Sequence, residues 1–109
     1  MSERKIKEIV RFAKLFLKKR HVKVDKVILF GSYARREFHK DSDVDIAIVS
    51  TAFEGKDIFQ RIRMTRGLNW ALVRRFILPF DIVTMSLKEW KESSSLIASF
   101  VRQGKEIVA

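Results

Sequence analysis

The chain has 109 residues, no cysteine, 47% apolar side chains, and 23 Lys and Arg against 13 Asp and Glu, for a net charge of +10. That length supports one core and predicts a single domain over residues 1–109, without a second substrate-recognition domain. The missing cysteines exclude disulfides, thiolate zinc sites and cysteine nucleophiles, and favour a cytoplasmic setting.

The opening MSERKIKEIV is too charged for a secretory signal, and no apolar run approaches the ~20 residues of a membrane span. Residues 3–20 predict an amphipathic helix with Ile6, Ile9, Val10, Ala13, Phe16 and Leu17 on one face. Arg4, Lys7, Arg11, Lys14 and Lys18 lie mostly on the other face. Lys18, Lys19 and Arg20 fall in the last turn, where they suit the helix dipole; that local role is preferred to nucleic-acid binding. Residues 24–30 predict a first strand ending at Gly31, followed by a short helix from Ser32 to about Phe38 and a polar connector, HKDS. Residues 43–49 predict a second strand.

Residues 57–76 read as one long helix with Ile58, Ile62, Leu68, Leu72, Val73 and Phe76 on a broad apolar face. Gly67 would weaken its middle by up to ~1 kcal/mol relative to Ala. Pro79 introduces a third strand through Met85, and Ser86 with Glu89 forms a capping-box signature. The three serines at 93–95 mark a helix junction, a last helical segment covers about 94–103, and KEIVA suits a short final strand. The order αβαβαβα predicts an α/β (α+β) fold, a mixed sheet flanked by helices.

Chemistry concentrates at the strand ends. Asp43 and Asp45 alternate about Val44, so both carboxylates project to one side, with α-carbons roughly 6.5–7 Å apart. Two carboxylates so placed repel, and a divalent cation removes the conflict. Magnesium takes a few carboxylates plus water and phosphate oxygens, and no His or Cys is spaced to favour zinc instead. Gly31 lets the backbone turn sharply beside a ligand, and Ser32 opens a helix whose free N–H groups attract anions. Arg35, one turn on, adds positive charge near such phosphates. Asp81 lies between Phe80 and Ile82, where an unpaired charge is costly; beside the second strand it would join the other acids and could deprotonate an attacking hydroxyl.

Gly31-Ser32, ten residues, then Asp43-Val44-Asp45, with Asp81 on a later strand, resembles the nucleotidyltransferase superfamily that includes DNA polymerase beta, and within it the minimal nucleotidyltransferases. The resemblance covers nearly the whole chain. It implies transfer of a nucleoside monophosphate from a triphosphate with two magnesium ions, manganese being the substitute. Asp43 and Asp45 would hold both ions, and Asp81 would complete one and act as base. Gly31 and Ser32 would grip the triphosphate with Ser42 as helper. Many such short proteins resemble antitoxins paired with HEPN-domain ribonuclease toxins, which implies transfer of AMP from ATP to a toxin tyrosine.

One departure stands out: the family pattern ends Gly-Ser-x-Ala-Arg-Gly, whereas Arg36 occupies the last place, acceptable in a helix but bulky near a triphosphate and a reason to question turnover. The small size implies that a helical partner completes the site, with Leu15, Trp70 and Trp90 as docking candidates. The alternatives are an antitoxin acting by binding alone, transfer to a small-molecule hydroxyl, and, last, nucleic-acid binding through the net charge.

Overall fold

A computed structural model describes residues 1–37 and 42–109. The expected end of the second helix and most of the HKDS connector fall at 38–41, outside the described residues. The first helix, α1 (Glu3–Lys18), starts where the Ser2 hydroxyl accepts from the Lys5 N–H, and it buries Ile9, Val10, Ala13 and Leu17. The first strand, β1 (Lys26–Phe30), runs into a helix of five residues, α2 (Gly31–Arg35). The second, β2 (Val44–Val49), is followed by a one-turn 3-10 helix at Thr51–Phe53 that sequence patterning missed; its Phe53 is fully buried.

The expected long helix is two. Helix α3 (Ile58–Met64) ends before Gly67, and α4 (Leu68–Phe76) begins after it. Gly67 has φ +86°, a left-handed conformation that breaks the helix instead of weakening it. The apolar face divides with it: Leu68, Leu72 and Phe76 are buried, whereas Ile58 and Ile62 remain 61% and 54% exposed. The third strand, β3 (Phe80–Met85), leads into α5 (Leu87–Glu92), opened by the Ser86–Glu89 capping box that the sequence announces. Ser93 closes α5, Ser95 caps α6 (Leu96–Arg102), and β4 (Lys105–Glu106) ends the sheet.

The strand order is β3-β2-β1-β4, with β2 and β3 parallel and the other pairs antiparallel, so the sheet is mixed as expected. The parallel pair needs a crossover, which α3 and α4 supply. Both faces are buried. Val27, Leu29, Val44, Ile46, Ile48 and Phe80 pack under α1 and α4. Ile28, Phe30, Ala47, Val49 and Met85 form a second core with Ala98 and Val101 of α6. Trp90 packs against this second core with the Lys26 ammonium 5.2 Å from its ring, so it is a packing residue, while Leu15 and Trp70 are exposed. Among the described residues no helix is long and apolar enough to cross a membrane.

Candidate active site

Strand register assembles the acids. Phe30 of β1 pairs with Asp45 of β2, and Asp45 lies directly beside Asp81 of parallel β3. Adjacent strands stand about 4.8 Å apart, so the two carboxylates share one end and one face of the sheet. Asp43 stands one residue before β2 and is exposed, two positions from Asp45 and therefore on the same side. The same face continues inward through Ala47, Val49 and Met85, the second core. The acids thus prolong a buried face past the point where helices cover it.

The three charges interact. Burial pushes the Asp45 carboxyl above the usual range, and the charges of Asp81 and Asp43 push it further, while Arg35 opposes them. That guanidinium is shared, because Arg35 Nε also pairs with Glu37 Oε2 at 3.1 Å. Among the described residues no group of three or more Asp, Glu, His or Cys side chains closes into a ready metal cage. The acids form an open row instead.

Gly31 is bound to this row by sterics. It has φ +71°, and a Cβ there would stand 2.9 Å from the Asp45 carboxyl carbon and nearer still to Oδ2. A side chain at 31 would therefore displace the carboxylate, which physically links the Gly-Ser step to the Asp-Val-Asp segment. Ser32 follows in the first turn of α2, where Phe30 supplies no side-chain cap. A five-residue helix has little macrodipole, so any anion there meets local N–H groups and Arg35. Ser42 adjoins Asp43 just ahead of β2, partly buried.

Of these residues Gly31, Ser32, Arg35 and Asp45 line a cleft of about 440 Å³, together with Phe100 of α6 and Gln103, the residue that caps its C-terminus. Sequence reasoning missed the α6 residues. The signal was that α6 buries its smaller Ala98 and Val101 while Leu96 and Phe100 stay 71% and 48% exposed. Arg36 belongs elsewhere. It lies beyond the last turn of α2 at φ 57°, ψ 30°, left-handed rather than helical. Its side chain borders a separate cavity with Tyr33, Lys105 and Met1.

The family described as the nucleotidyltransferase domain matches residues 4–103. The chain belongs to the nucleotidyltransferase family. A candidate protein adenylyltransferase of Methanocaldococcus jannaschii, MJ0604, is 47% identical over 48 residues, which cover 44% of this nucleotidyltransferase and 45% of that protein. The chain thus matches less than half the length of this curated relative. A solved structure described as a candidate minimal nucleotidyltransferase is 27% identical with TM-score 0.57, covering 100% of this chain and 97% of the other. A toxin–antitoxin structure with AMP-PNP is 24% identical with TM-score 0.62, covering 97% of this chain and 72% of the other, a likeness of fold. For a nucleotidyltransferase, the left-handed backbone at 36 explains why the family pattern carries glycine there.

Proposed function

We propose that this nucleotidyltransferase moves AMP from ATP to a tyrosine hydroxyl of a partner protein, a HEPN ribonuclease toxin for which it serves as antitoxin. The observation that carries the reading is the register of β2 and β3, which sets Asp45 beside Asp81 next to Gly31. In the reaction, the acceptor oxygen attacks the α-phosphorus and forms the new O–P bond. The bond from that phosphorus to the bridging oxygen breaks, and pyrophosphate leaves with the electron pair. The acceptor proton passes to Asp81, whose exposed position suits an acceptor arriving from outside.

The Gly31 turn, Ser32 and Arg35 hold the β- and γ-phosphates, with Ser42 assisting beside Asp43. The donor set fits magnesium, and manganese by the same oxygen chemistry: an open row of three carboxylates, one held above its usual range by burial and then by the other two. Asp43, Asp45 and Asp81 would hold two such ions, which supply neutralising charge to the triphosphate and the departing pyrophosphate. The fold neighbour from a toxin–antitoxin pair with AMP-PNP supports the choice of nucleotide and of partner class. Arg36 lines a different cavity, so this departure from the family pattern leaves the residues of the cleft in place.

The test is incubation with α-labelled ATP, magnesium and the cognate toxin. Label should appear on the toxin, and Asp43→Asn or Asp45→Asn should abolish it without lowering the melting temperature. An absence of label under conditions where the two proteins associate would refute the reading.

A further inference from the structure

We infer that Phe100 and Gln103 form the nucleobase subsite: the base stacks on the Phe100 ring, and the Gln103 amide reads its edge in favour of adenine. The inference rests on the nucleotide reading above and adds the residues that choose the base. Phosphate chemistry accounts for only part of the cleft lining, the part made by Gly31, Ser32 and Arg35. The same cleft is also lined from α6 by Phe100, an aromatic ring that is 48% exposed and outside both hydrophobic cores. Helix α6 is anchored by Ala98 and Val101, so Phe100 is spare to its packing. A π-face beside a phosphate-binding turn is what a base needs, since stacking is available to every base.

Gln103 supplies the direction. Its side chain presents a donor and an acceptor in one plane, which matches the N6–H₂ and N7 edge of adenine and mismatches the two acceptors of guanine. The contact it makes is long, Nε2 to Ser99 Oγ at 3.5 Å, so turning toward a base disrupts little. Gly31, Ser32, Arg35, Asp45, Phe100 and Gln103 line one cleft, so a triphosphate held by the first three leaves Phe100 and Gln103 for the rest of the nucleotide. The cleft, about 440 Å³, is within the range of small-ligand sites.

The experiment compares ATP, GTP and inorganic tripolyphosphate binding to the full chain by calorimetry in magnesium. Phe100→Ala should weaken ATP roughly tenfold, the scale of one lost base stack, and leave tripolyphosphate within about twofold. Phe100→Tyr should restore ATP binding, and Gln103→Ala should narrow the preference for ATP over GTP. Thermal melts of each variant confirm that it folds. If Phe100→Ala weakens ATP and tripolyphosphate equally, or neither, the subsite is overturned. If it spares ATP binding but slows label transfer to the partner, this part of the cleft serves the acceptor and the inference is likewise overturned. If the parent chain binds neither ATP nor tripolyphosphate, the nucleotide reading falls with it, a result distinct from loss of the base preference alone.

Discussion

Replacing Arg36 by glycine should make the protein more stable. Residue 36 ends α2 in a two-bond cap, with the Glu37 N–H donating to the Ser32 carbonyl at 2.9 Å and the Arg36 N–H to the Tyr33 carbonyl at 3.3 Å. Both bonds are main-chain, so a glycine keeps them. The left-handed conformation costs an L-residue about 1–2 kcal/mol, which glycine escapes. Against this, glycine gives the unfolded chain about 0.4–1 kcal/mol of extra conformational freedom to lose. The net gain is about 0.5–1 kcal/mol. For a chain of 109 residues the unfolding entropy is about 0.23 kcal/mol/K, so the melting temperature should rise by about 2–4 °C. Differential scanning calorimetry measures it, with Arg36→Ala as control: alanine removes the same side chain but keeps the strain, and should gain nothing comparable. Because Arg36 borders a cavity apart from the Asp45 cleft, ATP affinity should stay within about twofold. If Arg36→Gly melts no higher than Arg36→Ala, residue 36 is not held left-handed and the reasoning fails.

Gly67→Ala separates one helix from two. In an unbroken helix alanine would stabilise by up to ~1 kcal/mol, whereas at φ +86° the left-handed cost, less the freedom that alanine removes from the unfolded chain, should destabilise by about 0.5–1 kcal/mol, read as a lower denaturant midpoint at unchanged m-value. An added Cβ meets the Phe16 ring at an ordinary 3.5 Å, so the backbone alone decides the sign. Glu89→Gln tests the link from α5 to α3. Burial pushes the Glu89 carboxyl up, but the Ser86 N–H and the Arg61 guanidinium, 2.7 Å away, outweigh burial and hold it below its ordinary 4.5. The unfolded chain then takes up the proton first, so this stabilisation is present above about pH 4.5 and is lost as pH falls through the folded value. Melts from pH 7 to pH 3 should show Glu89→Gln less stable at neutral pH, by up to about 1 kcal/mol for a partly exposed pair, with the gap closing in acid; a gap constant with pH would reject the charge argument.

What sequence revealed and what it hid follow from the range of the interactions involved. Ser86 and Glu89 lie three residues apart and exchange both bonds of their box, so local spacing sufficed. The acids were legible for a similar reason: alternation about Val44 sets one side of a strand, and Asp81 stood out among apolar neighbours, although the structure leaves it exposed and not buried as an unpaired charge. That Asp81 and Asp45 are direct neighbours is long-range, and it hung on β2 and β3 being adjacent. The helix break was hidden because Leu68, Leu72 and Phe76 continue the period of Ile58 and Ile62, although only the first three reach the core. Arg36 was misplaced in a helix because nothing in its side chain signals a left-handed backbone; only the family's glycine did. Phe100 escaped notice because it reads as one more apolar residue in a short helix, and its opening onto the Gly31 cleft depends on how α6 lies across β1.

The placement of the acids also explains how a small basic chain can sustain a carboxylate row. Position 45 sits on the face that Ala47 and Val49 carry into the second core, so folding alone would favour an apolar or neutral residue there. The sequence instead puts a carboxylate beside two others and gives it Arg35, a cation already shared with Glu37. The excess of ten positive charges is spent elsewhere, on the outer faces of helices such as α1 and α4. Local charge and local packing therefore disagree at this one end of the sheet while agreeing at Ser86, Asp57 and Ser2, where each polar side chain caps a helix. A conflict of this kind is what the proposed reading accounts for: cations held together with a nucleotide's phosphates would relieve Asp45 and its two exposed neighbours, Asp43 and Asp81.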